Sequence, residues 1–157
     1  MTMSRAIRVA AGATMLFSVF AIAQDREKKI RRSDLPPAVE KAVAEQSKGA
    51  TIRGFSQEKE NGQSYYEAAL MVNGHTKDVL VDANGSVVEV EEQVSTESLP
   101  SAVRRGLQDK AGKGKLAKVE TLTKKDKLVA YEAKVLNNGK TSEAHVGPNG
   151  KALDHEE

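Results

Sequence analysis

Apolar positions along the chain keep two periods in turn, and the alternation then starts again. From Leu35 the spacing is helical: Val39, Ala42 and Val43 fall at i, i+3 and i+4 and form one stripe, while Glu40, Lys41 and Glu45 point away from it. Pro36 and Pro37 mark the start of this helix, because a proline in the first turn gives up an N–H that has no partner there. Gly49 marks its end. From Tyr65 the period shortens to two, with Tyr66, Ala68, Leu70 and Val72 alternating with Tyr65, Glu67, Ala69 and Met71. That is the pattern of a half-buried strand. After Leu99 the helical stripe returns as Val103, Gly106 and Leu107, with Gly112 or Gly114 at its end, and the strand pattern returns as Tyr131, Ala133 and Val135 against Glu132 and Lys134.

The recurrence extends to residue identity. Leu35-Pro36-Pro37-Ala38-Val39 returns 64 positions later as Leu99-Pro100-Ser101-Ala102-Val103. Tyr66-Glu67-Ala68, Asn73-Gly74 and Asn84-Gly85 return 65 positions later as Tyr131-Glu132-Ala133, Asn138-Gly139 and Asn149-Gly150, so one residue has been inserted between helix and sheet. The first Asn-Gly of each copy supplies the positive φ angles of a tight hairpin, and Val79 and Val81, or Ala144 and Val146, open the return strand. The second Asn-Gly leads to Val88 and Val90, or to Leu153. A first strand about Thr51 to Gln57 and Leu116 to Leu122 makes four strands per copy. The sequence predicts an α+β fold of two tandem units, residues 34–94 and 95–157, each one helix packed on a four-stranded antiparallel meander. Two such units could share one eight-stranded sheet, with the helices on one face and the other face open.

Ahead of the repeats, Arg5 and Arg8 precede an apolar run from Val9 to Ile22, which ends in Ala21-Ile22-Ala23 and the polar Gln24-Asp25-Arg26. This is the layout of a secretory signal spanning 1–23, cut between Ala23 and Gln24. Roughly 14 apolar residues fall short of the about 20 that a membrane span needs. Residues 24–33 are charged and without apolar period, and read as a flexible leader. Cleavage also changes the charge: the chain has 24 basic and 22 acidic side chains, and losing Arg5 and Arg8 leaves 22 of each. A neutral chain lacks the basic excess of a nucleic-acid binder. With no cysteine, disulfides, thiolate catalysis and cysteine-bound zinc are excluded, and no lipid anchor can attach behind the signal.

The helix opening on Leu-Pro, then Tyr-Glu-Ala in an alternating strand, Asn-Gly, a return strand and a valine-rich last strand resembles the PepSY-like domains, in two copies over residues 34 to 157. The tandem arrangement is similar to that of the β-lactamase inhibitor proteins, which pair two such units. The resemblance implies a non-enzymatic exported module, since PepSY domains accompany secreted peptidases and are proposed to hold them inactive. The sequence departs from both: it carries no peptidase domain, and it lacks the cysteines and aromatic richness of the β-lactamase inhibitors.

Chemistry-bearing residues are sparse. His75, His145 and His155 are the neutral-pH titrators. His145 and His155, with Asp154, Glu156 and Glu157, could make a loose metal site, but no HxxxH or HExxH spacing is present and the histidines read as solvated or otherwise satisfied. Asp82-Ala83-Asn84-Gly85 resembles the start of a calcium loop whose remaining ligands are missing, and reads as a β-turn. No Gly-x-Ser-x-Gly elbow or phosphate loop occurs, so no catalytic residue and no cofactor is expected. A protein or extended peptide is the expected partner, held on the face opposite the helices by Tyr65, Glu67, Met71, Glu132 and Lys134. The alternatives are a small-ligand or metal-binding envelope sensor or buffer, and a structural envelope spacer.

Overall fold

The computed structural model describes residues 28–60 and 62–154, so the expected signal, its Ala23–Gln24 junction, His155, Glu156 and Glu157 lie outside the described residues. Within them one antiparallel sheet of eight strands runs in chain order. The strands are β1 (Lys28–Ile30), β2 (Thr51–Glu60), β3 (Gln63–Val72), β4 (His75–Asp82), β5 (Val87–Val94), β6 (Lys115–Lys124), β7 (Lys127–Asn137) and β8 (Lys140–Val146). Helix α1 (Pro37–Gln46) lies between β1 and β2, and α2 (Ser101–Ala111) between β5 and β6. The chain is therefore α+β, with a single sheet crossed on one side by two helices.

The stripes read from the sequence are the buried ones. Val39 and Val43 of α1 pack on Tyr66, Ala68, Leu70, Val79 and Val81, while Val103 and Leu107 of α2 pack on Val119, Tyr131, Ala133, Val135, Ala144 and Val146. Each such aliphatic side chain contributes about 1.5–3 kcal/mol on burial. Val90 packs against the first cluster and Val94 against the second. Both belong to one face of β5, so the two helices cover the same side of the sheet.

The hairpins follow from turn chemistry. Asn73 and Gly74 (φ 51° and 85°) and Asn138 and Gly139 (φ 50° and 75°) hold the positive φ pair of a two-residue hairpin turn. The β6–β7 turn reaches the same geometry with Lys125 and Asp126 (φ 48° and 62°), without a glycine to announce it.

Three expectations are corrected. Residues 28–30, expected within a flexible leader, form the edge strand β1, where Ile30 lies opposite Phe55 and packs on the first cluster. Residues 32–34 form a 3-10 turn matched by Thr96–Ser98 before α2, and Arg32 ties this turn to the helix through Glu40 (2.6 Å), as Arg104 ties the second through the Glu97 carbonyl (2.7 Å). The eight strands are not four and four. Among the described residues beyond β8, the chain turns through Gly147–Gly150 and returns as the isolated bridge Val146–Ala152, so Leu153 lies in no strand. In β5 it is Val87, not Val88, that packs with Val90 on the first cluster, because the register against β4 shifts between Leu80 and Val81.

Two glycines tie the turns at Asn84-Gly85 and Asn149-Gly150 to the helices. A Cβ on Gly85 (φ +85°) would stand 2.5 Å from the Ala38 carbonyl oxygen, and one on Gly150 (φ +77°) 2.3 Å from that of Ala102. Both turns thus press bare backbone against the first turn of a helix. Gly74 has the same left-handed backbone with nothing within 4 Å. Gly74→Ala is expected to cost about 1 kcal/mol, for conformation alone. Gly85→Ala and Gly150→Ala are expected to cost at least about 2 kcal/mol, since overpacking adds to strain. Urea denaturation of the three variants checks this order.

Candidate functional site

Among the described residues neither helix touches the second face of the sheet. Tyr65, Glu67 and Met71 of β3 project there, as do Glu132 and Lys134 of β7, by the same alternation that buries Tyr66 and Tyr131. They do not form one cluster. β3 and β7 stand four strands apart, roughly 19 Å at about 4.8 Å per strand. Ala130, on the same face, is buried rather than presented, and so are Leu80 and Leu122 nearby. Among the described residues Leu136 is the exposed large apolar one, at 44 %.

The strands between them carry the residues that sequence reading missed. Across the sheet, Glu67 lies opposite Leu80, Leu80 opposite Glu89, and Glu89 opposite Lys124. The next row runs Ala69, Asp78, Glu91, Leu122, Ala130. The third contains Gln93, Glu120, Glu132 and His145. The helix-free face is thus rich in carboxylates at its centre. Lys124 lies 3.8 Å from Glu89 and Lys118 2.5 Å from Glu120. The alternation Glu89-Val90-Glu91 was the available signal, since two acids flanking a core valine in a strand must share the outer face.

Two groups of side chains converge. The carboxylates of Asp78, Glu91 and Glu120 come within 4.8 Å of one another. The Thr76 hydroxyl has two acceptors within reach of its one proton, Glu120 Oε1 (3.3 Å) and Gln93 Oε1 (3.4 Å), and the Thr76 N–H donates to Gln93 Oε1 (3.2 Å), which links β4 to β5 and β6. Burial raises the Asp78 carboxyl above the usual aspartate value, Glu120 raises it further, and Lys118 opposes both. The second group is Glu132, Glu143 and His145, again within 4.8 Å. His145 is buried, with its Nε2 3.1 Å from Glu132 Oε2. The histidine thus meets carboxylates of the β7–β8 ladder. His75 is exposed at the start of β4, apart from either group.

The Asp82 carboxylate is engaged by the turn itself, accepting from the N–H groups of Asn84 and Ser86 (both 2.9 Å). This is the β-turn reading of Asp82-Ala83-Asn84-Gly85. Tyr65 donates its hydroxyl to Gln63 Oε1 (2.8 Å) and keeps its ring on the helix-free face.

Because Asp78 has its folded pKa above the unfolded one, the folded state binds more protons between those two values. The ionised group therefore costs stability above that window and nothing below it. Asp78→Asn is expected to stabilise the protein at pH 7 by up to about 1 kcal/mol, the range of partly exposed charges. The gain should disappear near pH 3, as urea midpoints at the two pH values will show.

No family model matches the chain, and no curated protein matches its sequence. Solved structures do. The chain is similar to a BLIP-like protein from Bacteroides fragilis, with 26% identity and a TM-score of 0.57 over 78% of this chain and 86% of that one. It is similar to a DUF2874 family protein from Bacteroides ovatus (21% identity, TM-score 0.59, 76% and 84% of the two chains). A third likeness is to a Bacteroides eggerthii protein provisionally assigned as periplasmic (17% identity, TM-score 0.62, 76% and 86%). No described helix is long and apolar enough to cross a membrane. The chain has the BLIP-like fold: an open antiparallel sheet with helices on one side.

Proposed function

We propose that this protein is an exported, non-enzymatic binding module, periplasmic or secreted, that holds a protein or extended peptide across the helix-free face of its sheet. The observation that carries the reading is that face itself. It is a broad surface on which no described helix lies, with Tyr65, Glu67 and Met71 on β3 toward one side and Asp78, Glu91 and Glu120 on the strands near its middle. Tyrosine offers large contact area at small ordering cost. The carboxylates favour a partner that presents lysine or arginine.

Three further points support it. The amino-terminal sequence has the layout of a secretory signal, and a protein of the same fold is provisionally assigned as periplasmic. The BLIP-like fold supports a protein partner. The PepSY resemblance, with the matched 3-10 turns and the matched Gly85 and Gly150 contacts, supports two copies of one unit and a secreted peptidase as the partner class.

The protein immobilised on a resin would retain its partner from an envelope extract of its own cell. Tyr65→Ala and Glu67→Lys are each expected to weaken retention by about tenfold, or about 1.4 kcal/mol. A retained set that is unchanged by both substitutions would remove the sheet face from the function.

A further inference from the structure

We propose that Glu132, Glu143 and His145 form a binding site for a divalent transition ion of the zinc class. The β7–β8 ladder sets Glu132 directly across from His145, and the period of two along β8 brings Glu143 to the same face. One donor atom from each of the three lies within 4.8 Å of the other two. Tetrahedral zinc, with bonds of about 2.0–2.1 Å, holds its donor atoms about 3.3 Å apart. The Glu132–His145 pair, at 3.1 Å, already stands at that spacing. Glu143 has at most about 1.5 Å to close, which a glutamate side chain covers by a rotamer change.

His145 supplies the second observation. On a face of charged side chains this imidazole is only 8% exposed, and its Nε2 is shielded from water, 3.1 Å from a Glu132 carboxylate oxygen. One neutral imidazole and two carboxylates match the charge of a divalent ion and leave a fourth position for water. The nitrogen donor selects against calcium and magnesium, which take oxygen ligands. Asp78, Glu91 and Glu120 offer oxygen alone, which separates the two groups chemically. Lys134 lies across from Glu143 and competes for it. An ion held here would cross-link the last strand of the sheet to its neighbour, and no partner protein is needed for that.

Calorimetric titration of the purified protein with zinc chloride tests the site, with calcium chloride in parallel. The expected result is one zinc per chain, a higher melting temperature with zinc, and no comparable heat from calcium. Glu143→Gln and His145→Gln should each weaken zinc binding by about tenfold or more, while His75→Gln, at the exposed hairpin, should leave it unchanged. Glu143 is only partly buried, so its variant stays informative even where His145→Gln fails to fold. Absence of zinc binding, unchanged affinity in Glu143→Gln, or loss of affinity in His75→Gln would each overturn the assignment.

Discussion

The ladder between β5 and β6 is the constraint on which the rest of the molecule depends. It runs from Glu89 opposite Lys124 to Val94 opposite Val119, and it joins strands that lie on either side of α2 in the chain. Side chains in a strand alternate, so a slip of one residue there would turn every later strand over. Tyr131, Ala133 and Val135 would leave the shelter of α2, and Glu132 and His145 would move beneath it. The register observed instead places Val90 and Val94 under successive helices and makes two hydrophobic clusters lie along one side of one sheet. Both the shielded core and the charged outer face are products of that pairing.

Charge is sorted by the same alternation. The sequence after the expected cleavage is electrically balanced, which hides the fact that acids gather on the outer face of β4, β5 and β6. Half-burying Asp78 beside Glu120 carries a cost, visible in its raised pKa, to which burial contributes most and the Glu120 charge adds. Positive charge supplied from outside the described residues would lower it. A carboxylate-rich surface assembled from separate strands is therefore biased toward positively charged ligands, whatever their size.

The sequence was most informative where a local rule acts alone. Helix starts at proline, the stripes Val39/Val43 and Val103/Leu107, and the Asn-Gly hairpins all appear as read, because each is decided within a few residues. What it hid depends on pairing across the sheet. The strand at Lys28–Ile30 is invisible locally, since its one inward residue, Ile30, gains its place only against Phe55. The shortfall after Val146 is hidden because the strand pattern near Leu153 is too brief to commit the chain to a ladder. The site was legible in fragments: Tyr65, Glu67, Glu132 and Lys134 do face outward, yet which of them are neighbours depends on intervening strands. Glu143 drew no notice in the sequence and gains meaning only beside His145.

The two kinds of Asn-Gly turn also divide the molecule into a locked end and a free one. Gly85 and Gly150 are wedged against helix backbones, so chain length and composition at that end are tied to the placement of α1 and α2. Gly74 and Gly139, at the opposite ends of β4 and β8, meet nothing within 4 Å. Loop tips of that kind tolerate added chain. A reporter peptide, a spectroscopic label or a surface tether inserted at 73–74 or 138–139 would hold the sheet by one rim while leaving both helices and the whole acidic face undisturbed.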